Sequence, residues 1–166
     1  MYFDVVLKRT SVIQEFANKL GYSWLILKSE LKIVDGGLDK NRKAVENKNV
    51  DILLNPHINE LHDHMHYRQS GLNDVLCKLA RKNNVAVAVS LDQFKDPISF
   101  GRIMQNVRFC RKYKVVFLIL SLATDEYELK APKDVEALYR IIGCSGKMVN
   151  EAWNFLNSKN NKKKLV

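Results

Sequence analysis

The stretch of residues 50–91 constrains the fold more than any other part of this sequence, because it holds a strand, a loop, a helix and a second strand in series. Short β-rich runs at residues 51–54 and 85–89 stand at its two ends. Ser70 is the expected N-cap of the helix between them. Apolar residues recur there with amphipathic spacing, at Leu72, Val75, Leu76, Leu79 and Ala80. This order predicts a helical crossover between two parallel strands.

The same alternation of short apolar runs and helical stripes continues through most of the chain. Further strands are expected at residues 2–7, 23–28, 31–34 and 115–120, and further helices around residues 13–20, 38–48, 97–110, 132–142 and 148–156. The helix around residues 38–48 has few apolar residues and is expected to be exposed. The run 115–120 is apolar at every position, which is typical of a parallel strand covered on both faces.

About six strands alternating with five or six helices predict one α/β domain, with a largely parallel sheet, over residues 1–157. A chain of 166 residues is shorter than the usual ~250 residues of a complete eightfold barrel. A reduced or irregular barrel and an open sheet therefore both fit the pattern. Residues 158–166 are rich in Asn and Lys, and we expect them to form a basic, disordered tail.

The chain is strongly basic, with 27 Lys and Arg against 18 Asp and Glu and a formal charge of +9. Such an excess favours a polyanionic partner, nucleic acid first. The longest apolar run is far below the ~20 residues of a membrane helix, and the N-terminus lacks the pattern of a signal peptide. We therefore expect a cytoplasmic protein without membrane association. Its three cysteines contain no C-x-x-C pair and are expected to be reduced core residues.

All four histidines lie in the loop ahead of the central helix, at His57, His62, His64 and His66. The last three are spaced by two, which in an extended segment puts three imidazoles on one face. Three converging nitrogen ligands would suit zinc or another late first-row metal. One hypothesis is therefore a metal-dependent phosphoesterase that uses His62, His64 and His66 with an aspartate from a strand end. The alternative is an exposed polar loop whose histidines share no ligand.

No nucleophile elbow, P-loop or dinucleotide-binding motif is present, so the sequence offers no autonomous active site. Basic residues instead recur at the ends of the expected elements, such as Lys8 and Arg9 after the first strand. Cations spread over a surface neutralise phosphates, and Arg adds bidentate donors. Such a protein would recognise the backbone and shape of a nucleic acid more than its bases. A protein-interaction module with an incidental basic surface is the remaining alternative.

Four segments of the chain together carry a family resemblance. They are VDILLNPH, SGLNDVLCKLARKNNVAVAVSL, FCRKYKVVFLILSLA and LKAPKDVEALYRIIG. In order and spacing they resemble the archaeal ribonuclease P protein component 3 family, whose eukaryotic relatives are the thirty-kilodalton-type subunit. The similarity is clearest over residues 50–143 and continues in register through the last helix. Four blocks in order are more specific than any single motif.

The resemblance implies a barrel-like α/β fold, similar to that of metal-dependent phosphoesterases but without their metal site. It implies a non-catalytic subunit of ribonuclease P, in which a catalytic RNA and its magnesium ions remove the 5′ leader from precursor tRNA. No cofactor is expected on the protein itself. The implied partners are the ribonuclease P RNA, a small ferredoxin-like protein subunit and the other ribonuclease P proteins.

Six basic residues of this chain correspond by position to candidate RNA contacts of the family. They are Arg42, Lys43, Arg68, Lys82, Lys130 and Lys147. The chain departs from the family after the fifth expected strand, where Asp92 and Gln93 stand in place of a basic residue and a proline. This departure argues against an RNA contact from that loop.

Overall fold

The computed structural model of the chain describes residues 1–58, 62–63, 65–66 and 68–163. Within these residues there are six strands and six α-helices, in the order that the sequence predicts. The strands are β1 (Phe3–Val6), β2 (Trp24–Leu27), β3 (Ile33–Asp35), β4 (Ile52–Leu54), β5 (Ala86–Ser90) and β6 (Phe117–Leu120). The helices are α1 (Ser11–Leu20), α2 (Lys40–Glu46), α3 (Asp74–Asn83), α4 (Pro97–Tyr113), α5 (Pro132–Ile141) and α6 (Gly146–Lys163).

The strands form two parallel sheets. One pairs β1 with β2, and the other has the order β3-β4-β5-β6. Every residue of β5 and β6 is buried, as expected for parallel strands covered on both faces. The predicted α/β class with a largely parallel sheet is therefore confirmed.

The two sheets meet where β1 lies beside the end of β6. The amide of Leu122 donates to the carbonyl of Val5, and the amide of Leu7 donates to the carbonyl of Ala123, each at 2.9 Å. At the other side β2 and β3 do not pair in the described residues, so the TIM-like barrel expected from the resemblance is not confirmed. Side chains explain the open edge, because Arg9 donates to the carbonyl of Leu25 at 2.7 Å and so occupies a backbone group of β2.

Two apolar clusters fill the interior. The larger surrounds the four-stranded sheet and receives α3, α4 and α6, while the smaller lies between α1 and the β1–β2 pair. All three cysteines are free and buried, which confirms their predicted packing role. No described helix is long and apolar enough to cross a membrane.

Helix α3 begins later than the sequence pattern predicts. Its N-cap is Asn73, whose side chain accepts from the amide of Leu76 at 2.9 Å, so the expected cap at Ser70 is wrong. Cys77 and Ala80 form the buried side of the helix, whereas Val75 is 57% exposed. Two residues correspond to about 200° of helix rotation, which places Val75 opposite Cys77.

Helix α2 is more buried than predicted, because Asn41, Ala44 and Val45 all face inward. Helix α6 continues to Lys163, so the expected boundary after residue 157 falls inside a helix. Near that boundary the Lys159 ammonium pairs with the Asp51 carboxylate. This contact ties the end of α6 to the residue that precedes β4.

Candidate nucleic-acid interface

The basic residues predicted to bind RNA lie at two opposite edges of the parallel sheet. Arg68 lies in the loop that leaves the carboxyl end of β4, and Lys130 lies between β6 and α5. Lys43 and Lys82 lie in the last turns of α2 and α3, which return to the amino ends of the strands. Lys147 is in the first turn of α6 and shares a groove with Val115, just before β6. The structure therefore divides the predicted set into two groups.

A continuous basic surface lies at the amino edge. Arg81 and Lys114 line one groove beside Phe155. Arg111, Lys114 and Lys147 line a second groove of about 170 Å³. Lys114 joins the two grooves, and Lys82 follows Arg81 in the same helical turn. We call this the α3–α4–α6 basic surface, and its exposed cations are Arg81, Lys82, Arg111, Lys114 and Lys147.

The cations of the α3–α4–α6 basic surface are not neutralised by the fold. Within the described part of the chain none of the five forms an ion pair, and one carboxylate, that of Glu151, lines the second groove. Neighbouring Lys112, by contrast, pairs with Asp74 at 3.5 Å. A cluster of unpaired cations creates a positive potential that attracts polyanions.

One member of the surface, Lys147, lies where the helix dipole does not favour a lysine. Cations in the last turns of α3 and α4 complement the helix dipole, which accounts for Arg81, Lys82 and Arg111 without any ligand. Lys147, however, lies in the first turn of α6, at the positive end of its dipole. Lys114 is the C-cap of α4, where its charge also complements the dipole, although its φ of 56° is a left-handed conformation that Gly or Asn adopts more readily. The helix dipole therefore accounts for the charge of Lys114 but not for that of Lys147.

Arg42 and Lys43 are exposed on α2 but do not line either groove. Arg42 pairs with Glu46 at 2.8 Å, one helical turn away. The Asn83 side chain donates to the carbonyl of Val45 at 2.7 Å and so joins the last turns of α2 and α3. Lys43 and Lys82 therefore lie on neighbouring helix ends, and Lys43 extends the basic edge.

Arg68 packs against α4. Its guanidinium lies over Gly101, where an added Cβ would come within 2.1 Å of Nη1. The Gln105 side chain donates to the carbonyl of Arg68 at 2.8 Å. Nearby, Asp63 accepts from Arg102 at 2.9 Å. Arg68 therefore helps to hold its loop on α4, a structural role that the sequence did not indicate.

Lys130 lines a cleft of about 300 Å³ at the carboxyl edge, together with Lys95 and Tyr127. Its side chain is exposed, while its carbonyl accepts from the Tyr22 hydroxyl at 2.8 Å. Lys130 therefore does not belong to the α3–α4–α6 basic surface. It belongs to a separate group of cations on the opposite edge.

The histidines that the structure describes differ in their exposure to solvent. His57 is 2% exposed three residues after the end of β4, and burial lowers its pKa. His62 and His66 are exposed, and His64 lies outside the described residues. No group of three His, Cys, Asp or Glu that could hold a metal occurs among the residues described. A site that includes His64 stays a prediction.

The sequence did not identify Lys114 as a candidate RNA contact. It also did not indicate that Arg111 and Lys147 lie together on one surface. The left-handed conformation of Lys114 could have been predicted, because the residue that ends a helix before a buried strand often adopts it. The grouping needed the tertiary fold, because Arg111 and Lys147 come from different helices. Spacing along the chain does not reveal such a contact.

Comparison with known proteins places these observations in a family. A sequence model of the family "RNase P subunit p30" matches residues 31–159. Ribonuclease P protein component 3 of Methanococcoides burtonii is 36% identical over 123 residues, which cover 70% of this chain and 48% of the relative. The protein of that name from Methanosarcina acetivorans is 32% identical over 143 residues, covering 82% and 53%. The chain thus spans about half the length of the curated relatives it matches.

A solved structure shows the same fold. The chain is similar to one chain in the cryo-EM structure of archaeal ribonuclease P with mature tRNA, with a TM-score of 0.63 and 23% identity. The match covers 96% of this chain and 69% of the other. At this identity the likeness concerns the fold alone. The family match covers most of the sequence, and the chain therefore belongs to the RNase P subunit p30 family.

Proposed function

We propose that the chain is a non-catalytic, RNA-binding subunit of ribonuclease P that supports removal of the 5′ leader from precursor tRNA. Family membership and the names of the curated relatives support this function. The observation that carries it is the grouping of five exposed cations that form no ion pair within the described residues, one of which, Lys147, lies at the positive end of a helix dipole. A polyanion bound at the α3–α4–α6 basic surface accounts for the grouping and for the position of Lys147.

The surface acts by neutralising phosphates. Arg81 and Arg111 present planar donors to phosphate oxygens, and the lysines add mobile point charges. Such contacts fix the position of an RNA helix without reading its bases. The chemistry of cleavage then belongs to the RNA and its magnesium ions, while the protein stabilises the RNA conformation that cleaves.

We further propose the assembly that the resemblance implies. The partners are the ribonuclease P RNA, a small ferredoxin-like protein subunit and the other ribonuclease P proteins, in the cytoplasm. The strands run in the order β2-β1 and β6-β5-β4-β3, with β1 beside the end of β6. This order supports a reduced barrel that is open between β2 and β3.

Reconstituted precursor-tRNA cleavage tests the proposal. The variant Arg111→Gln, Lys114→Gln and Lys147→Gln removes three charges from the basic surface. We expect it to weaken binding to the cognate RNA and to flatten the dependence of log affinity on log salt by about 2–3, since each phosphate contact contributes roughly 0.7–0.9. Cleavage at limiting protein should fall in parallel.

A matched variant controls for net charge. Lys19→Gln, Lys40→Gln and Lys133→Gln removes three exposed charges from α1, α2 and α5, outside the basic surface. It should retain affinity and salt dependence close to those of the unmodified chain. Equal losses in the two variants would show that net charge alone drives binding, and an unchanged salt slope in the first would contradict the proposed surface.

A further inference from the structure

We propose that the cleft at the carboxyl ends of β5 and β6 binds one unpaired RNA nucleotide, whose base stacks on Tyr127 and whose phosphate contacts Lys95 and Lys130. This inference rests on the proposed function and adds a second RNA element that the protein binds. The cleft is formed where the two strands end, with Leu91 following β5 and Ser121 following β6. In parallel α/β proteins, ligands commonly bind at this edge of the sheet.

Tyr127 is the principal observation. Tyr127 is 80% exposed, although burial of a tyrosine ring would stabilise a fold of this size. The 3-10 helix Glu126–Glu128 presents the ring at the cleft. An exposed aromatic ring beside cations is the arrangement on which unpaired bases stack.

The loop that carries Tyr127 is held in place by its own hydrogen bonds. The Asp125 carboxylate accepts from the amides of Tyr127 and Glu128, at 2.9 and 3.1 Å. The Glu128 carboxylate in turn accepts from the amide and hydroxyl of Thr124, at 2.6 and 3.0 Å. A preformed loop loses little conformational entropy when it binds a ligand.

Both ends of the loop are also anchored in the fold. Ala123 is fully buried, and its carbonyl accepts from the amide of Leu7 on the strand side. Leu129 is 5% exposed at the other end, and the Lys130 carbonyl accepts from the Tyr22 hydroxyl. The ring of Tyr127 is therefore presented to solvent by a fixed segment, and its exposure is not the result of a loose chain.

The charges in the cleft suit one nucleotide better than a duplex. Lys95, at the end of the 3-10 helix that follows β5, and Lys130, in the segment between β6 and α5, line the same cleft, and in this proposal both contact the phosphate of the bound nucleotide. Asp92 and Glu128 also line the cleft, and carboxylates accept from the exocyclic amino groups of bases, so the loop after β5 can contact a base although it lacks the basic residue that the family carries there. Hydrogen bonds from Thr124, and to a lesser extent the charge of Lys95, lower the pKa of Glu128. Two carboxylates would repel the closely spaced phosphates of an RNA helix.

A pair of RNA probes separates this cleft from the basic surface. The single-stranded probe is an oligocytidylate octamer, whose bases carry an exocyclic amino group that can donate to the carboxylates of the cleft, and the double-stranded probe is a short RNA hairpin with a minimal loop. For Tyr127→Ala in the full chain, we expect the affinity for the octamer to fall roughly fivefold to a hundredfold, the usual effect of removing one stacking ring. Hairpin affinity should stay within about twofold. Tyr127→Phe keeps the ring and should restore octamer binding.

Matched variants make each outcome decisive. Ile141→Ala removes another large exposed apolar side chain, 65% exposed on α5, and should leave octamer binding unchanged. Octamer affinity that is the same for Tyr127→Ala and the unmodified chain would overturn the cleft proposal. The proposed function fails separately, if the hairpin binds equally well to the unmodified chain and to the Arg111, Lys114 and Lys147 variant.

Discussion

Asp4 shows at the residue scale how the junction of the two sheets depends on protonation. It is 4% exposed in β1, and its carboxylate accepts from the amide of Ser121 at 3.1 Å, next to β6. Burial raises its pKa from 3.8 to about 6, against the opposing effect of the hydrogen bonds with Ser121. The folded state therefore binds this proton more tightly than the unfolded state. The contribution of protonated Asp4 to the free energy of unfolding is complete below about pH 3.8 and is lost as the pH rises through about 6.

Asp4→Asn tests this linkage, because it keeps an acceptor oxygen and removes the charge. A shift of about two pKa units corresponds to at most about 3 kcal/mol. We expect the variant to raise the free energy of unfolding by about 1–3 kcal/mol near pH 7.5 and to differ little from the unmodified chain near pH 4. Urea unfolding at the two pH values measures the difference. A constant difference between them would show that Asp4 does not titrate in this window.

At the scale of single elements, contacts from residues 68–70 hold this segment against α4. Arg68 lies over Gly101, and Gln105 and Asn106 donate to the carbonyls of Arg68 and Ser70, each at 2.8 Å. Gly101→Ala places a methyl group on the Arg68 guanidinium, which is flexible enough to move away. We expect faster tryptic cleavage after Arg68. Global stability should change by less than about 1 kcal/mol, since Ala also favours the helix.

Gly146→Ala is the matched control for this prediction. Gly146 also lies in a helix, but an added Cβ there meets no atom within 4 Å. Its cleavage rate after Arg68 should equal that of the unmodified chain. If tryptic cleavage after Arg68 were equally fast in Gly101→Ala and in the unmodified chain, the packing of Arg68 on Gly101 would not hold residues 68–70 against α4.

The elements that could be predicted from the sequence are those that local pattern decides. Strand β6 follows from an unbroken apolar run, and α4 follows from Asp96, whose side chain accepts from the amide of Ser99 at 2.7 Å as the N-cap. Ser70 instead resembles a cap in sequence but bonds to Gln105, which is 35 residues away. Asn41 is polar yet 1% exposed, because the carbonyls of Pro56 and Gly71 accept from its amide. Contacts of this range leave no local signal.

At the scale of the whole molecule, the parallel sheet separates the two proposed RNA contacts. The sequence showed that cations recur at the ends of elements, but only the fold assigns Lys114 to the amino edge and Lys130 to the carboxyl edge. The four residues of β6 lie between these edges and span about 13 Å. Sites at this separation that share no protein side chain usually contribute independently.

Independence predicts additive losses for an RNA long enough to reach both edges. The Arg111, Lys114 and Lys147 variant, the Tyr127→Ala variant and their combination can each be titrated against the catalytic RNA at one salt concentration. We expect the combined loss of binding free energy to equal the sum of the separate losses within about 0.5 kcal/mol. A combined loss smaller than the sum by more than about 1 kcal/mol would mean that the two edges depend on one RNA contact. Additivity would instead require that the RNA reaches both ends of the sheet, one edge contacting the backbone of a helix and the other an unpaired base.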